Sequence, residues 1–181
     1  MQIGFIGVGA MGGGLARNLI RAGKSVLIYD INAAMVEKTL AAGTTGKAVQ
    51  NAADLAGCDL VFTSLPLPTH LQETMLGDAG LLAKMSPGAV YIDVSTIDPG
   101  TARELEAAAK EKGIGFLECP LGKTPAQAET AEEPIFVGGD ETVYQKVKDI
   151  LEIIGNPVTY LGTVDACLLY TSDAADDYLT V

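Results

Sequence analysis

Six residues near the start of the chain, Gly7-Val8-Gly9-Ala10-Met11-Gly12, carry glycine in the pattern G-x-G-x-x-G. Alone the pattern is weak, because glycine serves many kinds of turn. Its surroundings give it meaning: residues 3–6 read as a buried strand leading in, and residues 11–21 as a helix leading out, with Leu15, Ala16 and Leu19 at helical spacing. In that setting Gly7 permits a tight turn, Gly9 lets the backbone approach a pyrophosphate, and Gly12 lets the helix pack close to the strand. The helix N-terminus then faces the phosphate charge. A second apolar run, residues 26–29, ends at Asp30. A carboxylate there accepts hydrogen bonds from adenosine ribose hydroxyls and repels an added 2′-phosphate, and no arginine follows among Ile31-Asn32-Ala33-Ala34. These residues point to NAD, held by Gly7, Val8, Gly9, Ala10, Met11, Gly12, Asp30, Ile31 and Asn32. Two other readings compete: a plain glycine turn with Asp30 as a helix cap, and a methyltransferase loop. Strand, turn, helix and acid agree on the dinucleotide, and no methyl-acceptor site stands out.

The elements that must position these residues alternate short apolar runs with helical patterns. After the first two strands, residues 33–41 read as a helix stopped by Gly43, and residues 60–64 and 90–94 as strands. Pro66 and Pro68 break the chain before a helix near residues 70–76. Asp98-Pro99 is an N-cap followed by proline in the first helical position, opening a helix that runs to Lys112. Residues 115–117, 135–137 and 158–161 read as three further strands, the last two separated by a helix over 140–153. The expected fold is α/β: a Rossmann-type doubly wound, mostly parallel sheet with helices on both faces, filling residues 1–163.

Composition narrows the partners. Apolar residues make up 48% of the 181 and charged ones 19%, which suits a chain with a core. A formal charge of −11 argues against nucleic acid, which needs a basic patch. No apolar run reaches the roughly 18 residues of a membrane span. Glycine turns interrupt the opening apolar stretch, so a signal peptide is not expected. Cys58, Cys119 and Cys167 show neither metal-ligand nor disulfide spacing, which fits a reducing compartment, and the expected location is cytoplasmic.

Four motifs in order resemble the β-hydroxyacid dehydrogenases, which include 3-hydroxyisobutyrate dehydrogenase, tartronate semialdehyde reductase and sulfolactaldehyde reductase. They are Gly4 to Gly12 with Ala16-Arg17-Asn18-Leu19 and Gly23; Ser64-Leu65-Pro66; Asp93-Val94-Ser95-Thr96-Ile97-Asp98-Pro99; and Glu118-Cys119-Pro120-Leu121-Gly122-Lys123-Thr124. The resemblance implies reversible hydride transfer between NAD(H) and a short 3-hydroxyacid or semialdehyde acid. It also implies that Leu65 and Pro66 lie along the cofactor, that Ser95 faces a small anionic substrate, and that Thr96 faces the nicotinamide. Serine and threonine before Pro99 could instead serve only as helix caps. In the fourth motif the family's serine and glycines grip a carboxylate, whereas this chain has Gly122 and the cation Lys123. A Gly-Arg-Thr version resembles the sulfolactaldehyde reductases. Lys123 is thereby a candidate for a sulfonate, phosphate or second carboxylate, with a solvated surface lysine as the competing reading.

The family's catalytic lysine belongs to a Gly-x-Gly-x-x-x-Lys segment leading into an all-helical C-terminal domain. Here that spacing places Asp165 and Cys167 on the glycines and Thr171 on the lysine. Residues 167–177 resemble a translated sequencing-library adapter, so residues 164–181 are expected to be a truncated linker and non-native tail, a divergent natural tail being the alternative. On this reading the parent protein forms a homo-oligomer through the missing helical domain. Other readings are a non-catalytic NAD-binding module and an imine reductase of the same superfamily.

Overall fold

The computed structural model describes residues 1–164 and 166. The expectations for Asp165, Cys167, Thr171 and the tail fall outside the described residues.

Eight strands form one sheet in the order β3-β2-β1-β4-β5-β6-β7-β8. The first half consists of β1 (Gln2–Ile6), α1 (Ala10–Arg21), β2 (Ser25–Tyr29), α2 (Ala33–Leu40) and β3 (Gly46–Ala48). A short 3-10 turn at Ala52–Leu55 then leads to β4 (Leu60–Thr63), α3 (Pro68–Met75) and β5 (Val90–Asp93). The rest is α4 (Pro99–Glu111), β6 (Gly115–Glu118), α5 (Pro125–Thr130), β7 (Ile135–Gly139), α6 (Glu141–Ile154) and β8 (Val158–Gly162). Every neighbouring pair is parallel except β6 and β7. The exception follows from the connection. The chain leaves β6 at Glu118, forms the loop and α5, and returns as β7 from the same end of the sheet. A strand that re-enters from the end its neighbour left must run backwards.

Alternation along the central strands explains the two cores. Ile3 and Phe5 of β1, Leu60 and Phe62 of β4, and Val90 and Ile92 of β5 face one side, where they join Leu15 and Leu19 of α1 and Leu151 of α6. Ile6, Val61 and Tyr91 face the other side, with Leu71 and Met75 of α3 and Leu105 of α4. Phe5 and Phe62, on adjacent strands, stack at 5.3 Å. A sheet covered on both faces needs apolar residues at nearly every strand position, which is why β1, β4 and β5 read as continuous apolar runs.

Local chemistry sets the helix starts. Asp98 accepts from the amides of Gly100 and Thr101, with Pro99 in the first turn of α4. Asp140 accepts from Thr142 and Val143 at the start of α6, and Asn32 accepts from Ala34 to cap α2. Strand order reverses between β1 and β4, so the connections leaving their paired carboxyl ends run in opposite directions and open a crevice. Among the described residues, no helix is long and apolar enough to cross a membrane.

Candidate functional site

The crevice is a cleft of about 900 Å³ at the carboxyl ends of β1, β2, β4 and β5. Its walls bring together most of the residues singled out in the sequence. Gly7, the run from Gly9 to Gly12, Asp30-Ile31-Asn32, Leu65, Pro66, Ser95, Thr96 and Lys123 all line it, whereas Val8 is buried and neither Val8 nor Gly122 reaches its wall.

The three glycines of the loop meet different demands. Gly7 has φ +85, and a Cβ there would sit 2.2 Å from the carbonyl oxygen of Ser64. At Gly12 a Cβ would lie 2.1 Å from the carbonyl oxygen of Gly7 and 2.8 Å from the Ser64 side chain. Gly9 is different: nothing lies within 4 Å of a Cβ placed there. Two glycines are walled in by the fold, and one opens on the cleft at the N-terminus of the twelve-residue α1. The first amides of a helix have no partner within it. An open glycine, a helix N-terminus and a nearby acid suit the diphosphate and adenosine ribose of a dinucleotide.

Asp30 also ties the loop down. One carboxylate oxygen accepts the Val8 amide at 2.7 Å and the other accepts the Asn32 amide at 2.8 Å. The Gly7 amide donates to the Tyr29 carbonyl at 3.0 Å. Each carboxylate oxygen offers two acceptor sites, so capacity remains for ribose hydroxyls. Among the described residues, Lys123 is the one lysine or arginine lining the cleft.

Ser95 is buried, and its hydroxyl joins a network running into the core. It accepts the Leu65 amide at 2.9 Å and donates to Asp93 at 2.7 Å. Thr63 donates to the same Asp93 oxygen at 2.6 Å, and the Tyr91 hydroxyl lies 3.0 Å from Thr63. Burial pushes the Asp93 carboxyl up to about 6, against the pull of its bonds from Thr63 and Ser95. Ser95 thus shapes the turn at Leu65 as well as lining the cleft. Thr96 is exposed beside it.

The loop after β6 is held from two directions. Glu133 is fully buried and accepts the Lys123 amide, while the Gly122 amide donates to the Pro134 carbonyl at 3.0 Å. Burial pushes the Glu133 carboxyl up; the Lys123 and Gly122 amides and the Lys123 charge pull it down. Beyond the loop, α5 packs on α1: a Cβ at Gly14 would lie 2.9 Å from α5 backbone, and Asn18 donates to the Ala128 carbonyl at 2.8 Å. Arg17 and Arg21 both pair with Glu129. Their hydrogen bonds and charge hold that carboxyl down at about 2, Arg17 foremost.

Sequence reading did not assign Thr63, Asp93 or Glu133 a role. Asp93 stood inside a quoted motif and could have been found there. Glu132-Glu133 reads as a solvated acidic pair and gives no such signal.

The sequence model of the NAD binding domain of 6-phosphogluconate dehydrogenase matches residues 2–162. The chain belongs to this family. An NAD-dependent L-serine dehydrogenase from Pseudomonas aeruginosa is 36% identical over 162 residues, covering 89% of this chain and 54% of that protein. The 2-(hydroxymethyl)glutarate dehydrogenase of Eubacterium barkeri is 34% identical, covering 92% of this chain and 55% of that one. A Mycobacterium tuberculosis 3-hydroxyisobutyrate dehydrogenase solved with L-serine superposes with a TM-score of 0.88 at 28% identity, covering 96% of this chain and 58% of that one. The chain is the NAD-binding domain of the β-hydroxyacid dehydrogenase family that its motifs resemble, and it spans about half the length of these relatives.

Proposed function

We propose that residues 1–163 form the cofactor-holding domain of an enzyme that moves a hydride between NAD(H) and the alcohol or aldehyde carbon of a short, anionic hydroxyacid. The cofactor supplies the hydride chemistry; the residues of this chain hold it and orient the substrate. The glycine loop and α1 receive the diphosphate, Asp30 the adenosine ribose, and the Leu65-Pro66 turn with Thr96 borders the nicotinamide end. Gly122 and Lys123 present the loop on which the substrate anion rests. Ser95 holds the Leu65 turn and faces the same space. A general acid or base must still serve the substrate oxygen; the family resemblance gives that role to a lysine, at whose position this chain has Thr171, and no lysine follows Lys148.

The observation that carries the preference for NAD is Asp30, whose carboxylate closes the loop through Val8 while no lysine or arginine other than Lys123 lines the cleft among the described residues. A 2′-phosphate placed there meets like charge without a compensating cation. Calorimetric titration of the 181-residue chain is expected to show NAD+ binding at least about tenfold tighter than NADP+, a difference of about 1.4 kcal/mol. Equal or tighter NADP+ binding would remove the basis for this reading.

A further inference from the structure

The hydrogen bonds at the ends of β4 and β5 form one chain in which every proton can be assigned. Thr63 and Ser95 each own a single hydroxyl proton, and both donate it to Oδ1 of Asp93, at 2.6 and 2.7 Å. The Ser95 amide adds a longer bond of 3.3 Å to the same oxygen. The Tyr91 hydroxyl, 3.0 Å from Thr63, is then the donor of that pair. With its proton turned inward, Ser95 keeps its oxygen for the Leu65 amide at 2.9 Å. Ser64, one residue earlier, is held by the sheet, its amide donating to the Ile6 carbonyl at 2.9 Å. The Ser95 bond thus carries the hold one residue past the end of that ladder, into the turn that lines the cleft. Pro66, next in the turn, has no amide hydrogen to add. The other Asp93 oxygen is buried and has no hydrogen-bond partner among the described residues. A proton can settle there without displacing any of the bonds to Oδ1. The network therefore keeps its shape in either charge state and changes in strength, a bond to an ionised group being roughly twice as strong as a neutral one. Burial holds the Asp93 carboxyl up at about 6. Beside it stand Thr63, Tyr91 and Ser95, with the buried Glu118 of β6 next in register. The residues of α3 and α4 buried over this face, Leu71, Met75, Ala102 and Leu105, carry no charge.

We propose that Asp93 is a positioning residue for the nicotinamide half of the dinucleotide: through Ser95 its carboxylate holds the Leu65-Pro66 turn in place, and loss of the negative charge loosens that hold. This rests on the reading above that the turn borders the nicotinamide. The adenosine half rests, in the same reading, on the glycine loop and Asp30, whose carboxylate bonds go to Val8 and Asn32 instead. The nicotinamide half is therefore gripped more firmly with Asp93 ionised, and the grip weakens as pH falls through the Asp93 value.

The test is the ratio of ADP-ribose to NAD+ dissociation constants for the 181-residue chain, measured by calorimetry at about pH 5 and about pH 7.5, on either side of the Asp93 value. ADP-ribose lacks the nicotinamide, so the ratio isolates that half and cancels any titration at the adenosine end. In the wild type the ratio is expected to rise at least about threefold with pH. Asp93→Asn, a neutral acceptor at both pH values, should hold it near the low-pH value, and Ser95→Ala should flatten it to within about 1.5-fold. ADP-ribose affinity should stay near that of the wild type in both variants. A ratio that still rises in Ser95→Ala would show Asp93 acting on the ligand by charge alone and would overturn positioning through Ser95. One that still rises in Asp93→Asn would move the titration to another group, Glu118 first, and overturn the role of Asp93. If Asp93→Asn fails to fold, the wild type and Ser95→Ala decide by the same criteria. A pH-independent ratio in the wild type would overturn the Asp93 role and leave the cofactor reading in place. Binding of neither ligand at either pH would overturn the cofactor reading, and this inference with it.

Discussion

Gly9 and Gly12 stand three residues apart in one motif and answer to different constraints. Gly12 is required by the fold, since a methyl group there would press into the carbonyl of Gly7. At Gly9 a methyl group would meet only open space, so the fold does not require glycine there and, in the proposed reading, the approaching diphosphate does. Gly12→Ala is expected to lower stability by about 1–3 kcal/mol, the scale of overpacking. Gly9→Ala should leave the melting temperature nearly unchanged and weaken NAD+ binding at least about tenfold. Paired denaturation and titration experiments on the two variants separate the roles; equal effects on stability would contradict them. Asp93 is a second residue with a readable signature. Its carboxyl is raised from 3.8 to about 6 by burial. A raised acid stabilises the fold fully below its unfolded value, and that contribution is lost as pH rises through the folded one. The loss between about pH 4 and pH 6 is on the order of 3 kcal/mol. Asp93→Asn, which keeps an acceptor for Thr63 and Ser95, should remove that decline from the stability–pH curve measured by denaturant unfolding. Parallel curves for the two proteins would contradict the assignment.

At the scale of elements, what could be read from the sequence was what is local. The strands β1, β4 and β5 stood out as apolar runs because both faces are covered, and Asp98-Pro99 announced α4 through the chemistry of its own first turn. The edge strand β3 was not legible. It is three residues long, Gly-Lys-Ala, without an apolar signal, and it exists by pairing with β2. The six-residue α5 was missed for a related reason: its sequence has little amphipathic pattern, and its place is fixed by contacts with α1 more than 100 positions away. The same holds for the links from Asp30 to Val8 and from Glu133 to Lys123, which join groups that only the fold brings together. The end of α5 carries its own test. Ala131 caps the helix at φ +57, in the left-handed region where a Cβ is unfavourable. Ala131→Gly is expected to stabilise the chain by about 0.5–1 kcal/mol, the steric relief exceeding the entropic cost of glycine. A lower melting temperature for the variant would show that the Ala131 side chain contributes more than its backbone costs.

At the scale of the whole molecule, one helix serves both sides of the cleft. The N-terminus of α1 meets the glycine loop, and its flank holds α5 through Asn18, Arg17 and Arg21, and with α5 the loop that carries Lys123. The glycine loop and the loop after β6 are thus fixed to a common element, which in the proposed reading suits a reaction in which two bound molecules must meet at a set distance. In the proposed reading, Asp30 selects the cofactor at the far end of that arrangement. The direct measurement is the ratio of NADP+ to NAD+ dissociation constants in the wild type and in Asp30→Asn. Asparagine retains one oxygen for the Val8 amide, so the loop keeps its anchor while the negative charge is gone. The ratio is expected to fall from at least about ten to below about three, with the melting temperature little changed. A ratio that stays the same in the variant would show that the acid at the end of β2 anchors the loop and does not choose the nucleotide.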